Sequence, residues 1–147
     1  MLALFLATLC AGTFCGAAVY INLVEHPARV ACGTELAVRQ FAPSYKRATM
    51  MQVSLAVAGL LLGLAGAWQL RDPQAALGAI LLASVAPFTL IAIFPTNKQL
   101  LDPALDARSE RAAALLVRWN RLHAVRSALS AAGFALMLWR LASACVR

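Results

Sequence analysis

The chain has 147 residues, 62% of them apolar and only 13% charged, with a mean hydropathy of +0.75. Soluble domains run about 45–50% apolar and about 25% charged, so a soluble enzyme is excluded, and no segment outside the apolar runs is long enough to bury a core of its own. The net charge of +7 would in a soluble protein point to nucleic acid, but no arginine-rich run, aromatic platform or zinc-finger spacing accompanies it, so no nucleic-acid partner is expected.

Residues 2–24, 48–70 and 73–97 carry no charge, giving runs of 23, 23 and 25 residues. Each exceeds the roughly 20 residues a helix needs to cross a bilayer core. Met1 to Tyr20 has the apolarity of a signal peptide, yet no Lys or Arg precedes it and the run continues past any plausible cleavage point. A retained first helix over about 2–24 is predicted, then a second over 48–70. Arg71-Asp72-Pro73 makes a tight turn into a third helix over about 74–94, kinked by Pro87 and ended by Pro95. Asp102 is a good N-cap with Pro103 at the first helical position, and no breaker follows until Gly133. The fourth helix is therefore predicted over about 103–142, about 60 Å long at 1.5 Å per residue. The expected fold is all-α: one transmembrane domain over 1–147, an integral membrane four-helix bundle whose long fourth helix extends out of the membrane.

Gly12 and Gly16 in the first helix and Gly59 and Gly63 in the second form GxxxG pairs, which let backbones approach closely; the two helices are expected to pack tightly, most simply on each other. Cys10, Cys15, Cys32 and Cys145 show no CxxC or metal-ligand spacing and read as small buried apolar residues. Nine Lys and Arg fall in the links around 25–47 and 95–121, against Arg71, Arg140 and Arg147 on the other side. By the positive-inside rule the long links are cytoplasmic and both termini outside, in a bacterial inner membrane.

The uncharged interval between Arg126 and Arg140 is 13 residues and cannot span alone, so Arg126 enters the membrane or its interface. Trp119, His123, Arg126 and Ser130 are spaced i, i+4, i+7 and i+11 on one helical face, flanked by Asn120 and Ser127. Ionisable residues at such depth face a bundle interior or a wet cavity; the alternative is that Arg126 snorkels to the headgroups while His123 and Trp119 anchor the interface. Asn22, Glu25, His26 and Arg29 form a second stripe, which Pro27 is expected to turn into a helix end by biasing His26 away from helical geometry. Thr96, Asn97 and Lys98 end the third helix at the same level. Glu25, His26 and His123 are a conceivable metal trio, but no HxxxH or ExxH pair supplies two ligands from one face, and no metal is expected. Motifs for haem, nucleotide or hydrolase chemistry are absent.

The segments GAAVYINLVEHPAR, FPTNKQLL and RWNRLHAVRSALS, in this order, resemble the anthrone-oxygenase-like family of small four-helix membrane proteins. The most specific are Pro95-Thr96-Asn97-Lys98 and Trp119-Asn120-x-x-His123-x-x-Arg126, and the resemblance covers nearly the whole chain. It implies cofactor-free insertion of oxygen into an anthrone, with no metal or flavin. The residues suit that chemistry: His123 or His26 as base, Arg126 and Lys98 as cations, Asn97 and Asn120 as donors to ring oxygens, Asn22 beside them and Trp119 as a wall. Aromatic side chains near this level are few, with only Tyr20, Phe88, Phe94 and Trp119 in reach. Two functions stay open. One is an enzyme with a cytoplasmic-side polar pocket for a lipophilic phenolic or quinone-like molecule; the other is a non-enzymatic membrane subunit, assembling through small-residue faces as a homo-oligomer or with a partner membrane protein.

Overall fold

The structure is a computed structural model that describes residues 1–145. The described residues form no strand. Four helices follow one another, α1 Leu2–Ala31, α2 Thr34–Leu70, α3 Pro73–Leu100 and α4 Glu110–Cys145, and all four are long and apolar enough to cross a membrane. Leu23, Leu61, Trp68, Ile91 and Trp139 point outward from them.

The all-α four-helix fold is the one the sequence predicts, but several helix ends lie elsewhere. α1 runs on to Ala31 and α2 begins at Thr34, so the interval 25–47 is helix except for Cys32 and Gly33, where Gly33 at φ +100° supplies the turn. Charge marks where a chain leaves the bilayer; it does not end a helix. Arg39, Lys46 and Arg47 decorate a projecting first part of α2, whose 37 residues measure about 56 Å at 1.5 Å per residue. α4 begins at Glu110 and not at Pro103. Asp102 and Asp106 each accept from a backbone N–H two residues on, at Ala104 and Arg108 and at 2.9 Å in both cases, and such local turns compete with the helix. Ser109 then caps α4 by accepting from Ala112 N at 3.2 Å.

Pro27 does not end α1. His26 is helical, at φ −66° and ψ −46°, because the ladder loosens upstream: Ile21–Glu25 is a π turn, which accommodates the donor Pro27 lacks and the clash its ring brings. α3 repeats the device with a π turn over Thr89–Ile93 before Pro95. Pro87 also leaves its mark, as a break in the α3 ladder at Ser84 between Pro73–Ala83 and Val85–Phe88.

The turn between α2 and α3 puts Arg71 at φ +50° and makes Asp72 the N-cap of α3, accepting from Gln74 N at 3.0 Å and Ala75 N at 3.2 Å. Its other carboxylate oxygen accepts from Arg140 of α4 at 2.7 Å, tying this end of the bundle together.

Small residues do set the packing, and α1 and α2 pack tightly on each other as expected, though their GxxxG pairs serve other helices as well. Cβ atoms at Gly59 and Gly63 would lie 2.5 Å from Leu82 and 2.6 Å from Ala79, so that face of α2 serves α3. Gly12 backs onto Phe134 of α4, and Gly16 has nothing within 4 Å. α1 and α2 come close at Gly66, where a Cβ would be 2.8 Å from Leu4 N. Phe14, Leu82 and Met137 centre the mid-bundle core, and Phe41, Ile93, Leu116 and Trp119 a second core toward the long-link end. Cys10 and Cys15 are partly buried; Cys32 is exposed at its turn, contrary to the buried reading. The side chain of Cys145 lies outside the described residues.

Candidate functional site

The polar residues collect between the mid-bundle core and the projecting parts of α2 and α4. α4 turns Trp119, His123, Arg126 and Ser130 inward; Trp119, His123 and Ser130 are buried, and Arg126 is partly so. This is the face its spacing predicts.

Asn22 is the hub. It hangs from the π turn of α1, and its Nδ2 donates to the backbone oxygen of Asn120 at 3.1 Å and to Asn120 Oδ1 at 2.8 Å. A backbone carbonyl cannot donate, so the amide has one orientation and its Oδ1 is the acceptor. His123 Nδ1 meets that Oδ1 at 2.8 Å, and Ser127 Oγ donates to it at 2.5 Å. His123 therefore carries a proton on Nδ1, and in the neutral ring the lone pair falls on Nε2.

Trp119 fills the next turn. Its Nε1 donates to Asn97 Oδ1 of α3 at 2.8 Å, which leaves the Asn97 Nδ2 as a donor. Its indole stacks with His123 at 4.7 Å between centroids and lies tilted against His26 at 5.3 Å, while Phe41 meets it edge-on at 5.4 Å. Both histidines thus lie against one indole.

Arg126 turns inward and does not snorkel. Its Nη2 donates to Gln52 Oε1 of α2 at 2.6 Å, and its guanidinium lies 5.1 Å from the Phe14 ring centroid, within cation–π range. Its partners are an amide on α2 and an aromatic face on α1, not the polar ends of α1 and α3 that share its level. Glu25, the nearest acid, is held by Arg29 and by Ser44 Oγ, which donates to it at 3.0 Å. Among the described residues no three His, Cys, Asp or Glu side chains gather; with Glu25 taken by Arg29 and His123 Nδ1 by Asn22, the conceivable metal trio does not form. Lys98 is exposed and Tyr20 faces outward, so neither joins the site.

An inner cavity of about 30 Å³ lies among Arg29, Gln52, Asn97, Trp119, His123 and Arg126. It has room for one small molecule. Beside it a groove of about 340 Å³ runs between α2 and α3, with Phe14, Val57, Val85, Leu90 and Phe94 on its walls. Tyr45, Thr49, Gln52 and Arg126 line both spaces.

Phe41 and Tyr45 fall outside a helix begun at 48, and Gln52 lies near the start of such a helix with no phase to mark it. The signal is present once the helix begins at Thr34: Phe41, Tyr45, Ala48, Gln52, Ala56, Gly59 and Gly63 recur at i, i+4, i+7, i+11, i+15, i+18 and i+22. Gln52 is the one amide on that stripe.

Residues 41–136 match the family model described as anthrone oxygenase, an interval that holds every site residue of α2, α3 and α4 but not Asn22 or His26. A curated anthrone oxygenase of Claviceps purpurea (strain 20.1) is 34% identical over 107 residues, which is 64% of this chain and 61% of that protein. The chain therefore spans less than two thirds of that relative's length. No solved structure matches. With well over half of the chain matched by the family model, including the whole polar face of α4, the chain belongs to the anthrone oxygenase family.

Proposed function

We propose that this chain is a cofactor-independent oxygenase for a lipophilic phenolic molecule of the anthrone type. The observation that carries the reading is the fixed tautomer of His123: a buried imidazole with Nδ1–H committed to Asn22 and the lone pair of Nε2 one turn from a guanidinium. An anthrone methylene is acidic because its anion spreads through two aryl rings to the ketone oxygen. His123 Nε2 takes that proton, while Arg126 and the Asn97 amide stabilise the oxygen that becomes negative. The anion passes one electron to dioxygen, and the radical pair combines into a C–O bond. Return of the proton from His123 gives the hydroperoxide, and loss of water leaves the ketone, so that one methylene and one dioxygen become one ketone carbonyl and one water. The inner cavity suits the small partner of this reaction, and Trp119 walls it off.

The reading places the site on the cytoplasmic side of a bacterial inner membrane with both termini outside; the nine-to-three bias of Lys and Arg between the two sides supports it. Oxygen uptake by the purified chain on a panel of anthrones and hydroquinones is the test, with one dioxygen consumed per ketone formed and none by His123→Ala that still inserts. One observation favours a second reading, a non-enzymatic subunit: Gly16 has no neighbour within 4 Å, leaving a small-residue face open to another helix. Copurification of a stoichiometric partner with no turnover on any of the panel decides for the subunit.

A further inference from the structure

We propose that the groove between α2 and α3 seats the aromatic substrate, which enters sideways from the bilayer, and that Gln52 and Arg126 form a donor clamp fixing one of its oxygens at the inner end. The inference rests on the oxygenase reading for the class of occupant, a planar fused aromatic bearing phenol or ketone oxygens.

Size comes first. The inner cavity of about 30 Å³ excludes three fused rings, whereas the adjoining groove of about 340 Å³ falls in the range of small-molecule sites. Its mouth is formed by Val53, Val57, Ala86 and Leu90, all exposed on the side that faces lipid. Phe14 is buried at its inner end and Phe94, itself exposed, flanks the mouth, so both offer a ring for flat contact.

Polarity then orients the occupant. Gln52 is 1% exposed, and its Oε1 already accepts from Arg126, which fixes the amide so that Nε2 is the free end. That Nε2 and Arg126 Nε are both buried without a partner. A buried donor with no acceptor is costly, and here two such donors belong to residues that line both the groove and the inner cavity. What they lack is an acceptor oxygen carried on an otherwise apolar body. Held there, the ring system borders the cavity that His123 lines.

The test is binding, which needs no turnover. The purified chain in lipid nanodiscs is titrated with a dihydroxyanthraquinone and with anthracene, which has the same ring outline and no oxygen. The wild type binds the quinone at least about tenfold more tightly than anthracene. Gln52→Glu keeps an acceptor for Arg126 but removes the donor, so quinone affinity falls about tenfold while anthracene affinity is retained and reports an intact groove. Val57→Trp, at the lipid-facing mouth, weakens both ligands. Absence of quinone binding by the wild type, equal quinone affinity in Gln52→Glu, or undiminished binding in Val57→Trp overturns the proposal. A wild type that binds in this pattern yet consumes no oxygen sinks the oxygenase reading and leaves the clamp standing; turnover with quinone affinity unaltered in Gln52→Glu does the reverse.

Discussion

Asn22 on α1 and His123 on α4 are joined by a 2.8 Å hydrogen bond whose direction is dictated by the bond Asn22 makes to the backbone of Asn120. On the oxygenase reading the asparagine acts only through the imidazole, which makes it a positioning residue. In Asn22→Leu the Nδ1–H loses its acceptor and the tautomer is no longer specified. Turnover is expected to fall about 10- to 100-fold, the usual cost of losing a group that orients an imidazole. KM for the anthrone is expected to hold, and the pH profile of oxygen uptake to change shape. An unchanged profile would mean that Asn22 merely packs.

Arg126 and Lys98 separate a buried cation from an exposed one. On the oxygenase reading Arg126→Ala removes the charge beside the developing oxyanion and is expected to lower turnover by about 100- to 1000-fold. Lys98→Ala, on an exposed side chain, is expected to leave it within about twofold. Steady-state oxygen uptake in the same detergent checks both, and equal loss in the two variants would put the site elsewhere.

At the opposite end, burial works against the Asp72 charge, yet the hydrogen bond from Arg140 and the N–H groups of Ala75 and Gln74 hold its carboxyl below the usual carboxylate range. A group depressed in the folded state stabilises it above the unfolded pKa, and that contribution is lost as pH falls through the folded value. Asp72→Ala, which loses both cap and ion pair, is expected to cost about 1–2 kcal/mol near pH 7. It should also be less sensitive than the wild type to acidification toward about pH 3. Thermal unfolding of both proteins at the two pH values reads the difference.

Gly133 and Gly16 are both glycines in apolar helices with opposite surroundings. A Cβ at Gly133 would lie 2.9 Å from Gly78 O and from Leu82 N, backbone atoms that cannot swing aside. Gly133→Ala is expected to destabilise the bundle by about 1–3 kcal/mol. Gly16→Ala, with open space around it, is expected to be neutral or to gain up to about 1 kcal/mol from helix propensity. Denaturation in mixed micelles ranks them.

The four crossings were legible because a bilayer demands uncharged length, and the inward face of α4 because Trp119, His123, Arg126 and Ser130 recur at the helical period. Helix ends were less so. Polar residues such as Arg39 and Lys46 mark the membrane boundary, and α2 passes through it without a break. For Arg126, opposite charge and shared level point to Glu25 and to the polar ends of α1 and α3. The chain uses a neutral amide instead, and a single glutamine in an apolar run carries no signal until the whole helix is phased from Phe41.

The two π turns tie the site to a count of residues. In α3 the buried Val85 and Ile93 stand eight apart, where two α turns would take about seven; in α1 the buried Phe14, Ala18, Asn22 and His26 follow at intervals of four. Each helix therefore carries one residue beyond its α-helical tally, and everything downstream is in phase only because of it. Deleting Ile91, a lipid-facing side chain, would let the segment close into an ordinary α turn and swing the rest of α3 by about 100°, taking Asn97 out of line with Trp119. Such a deletion behaves as a frameshift written in three dimensions: every residue of the site is still present, and the site is gone.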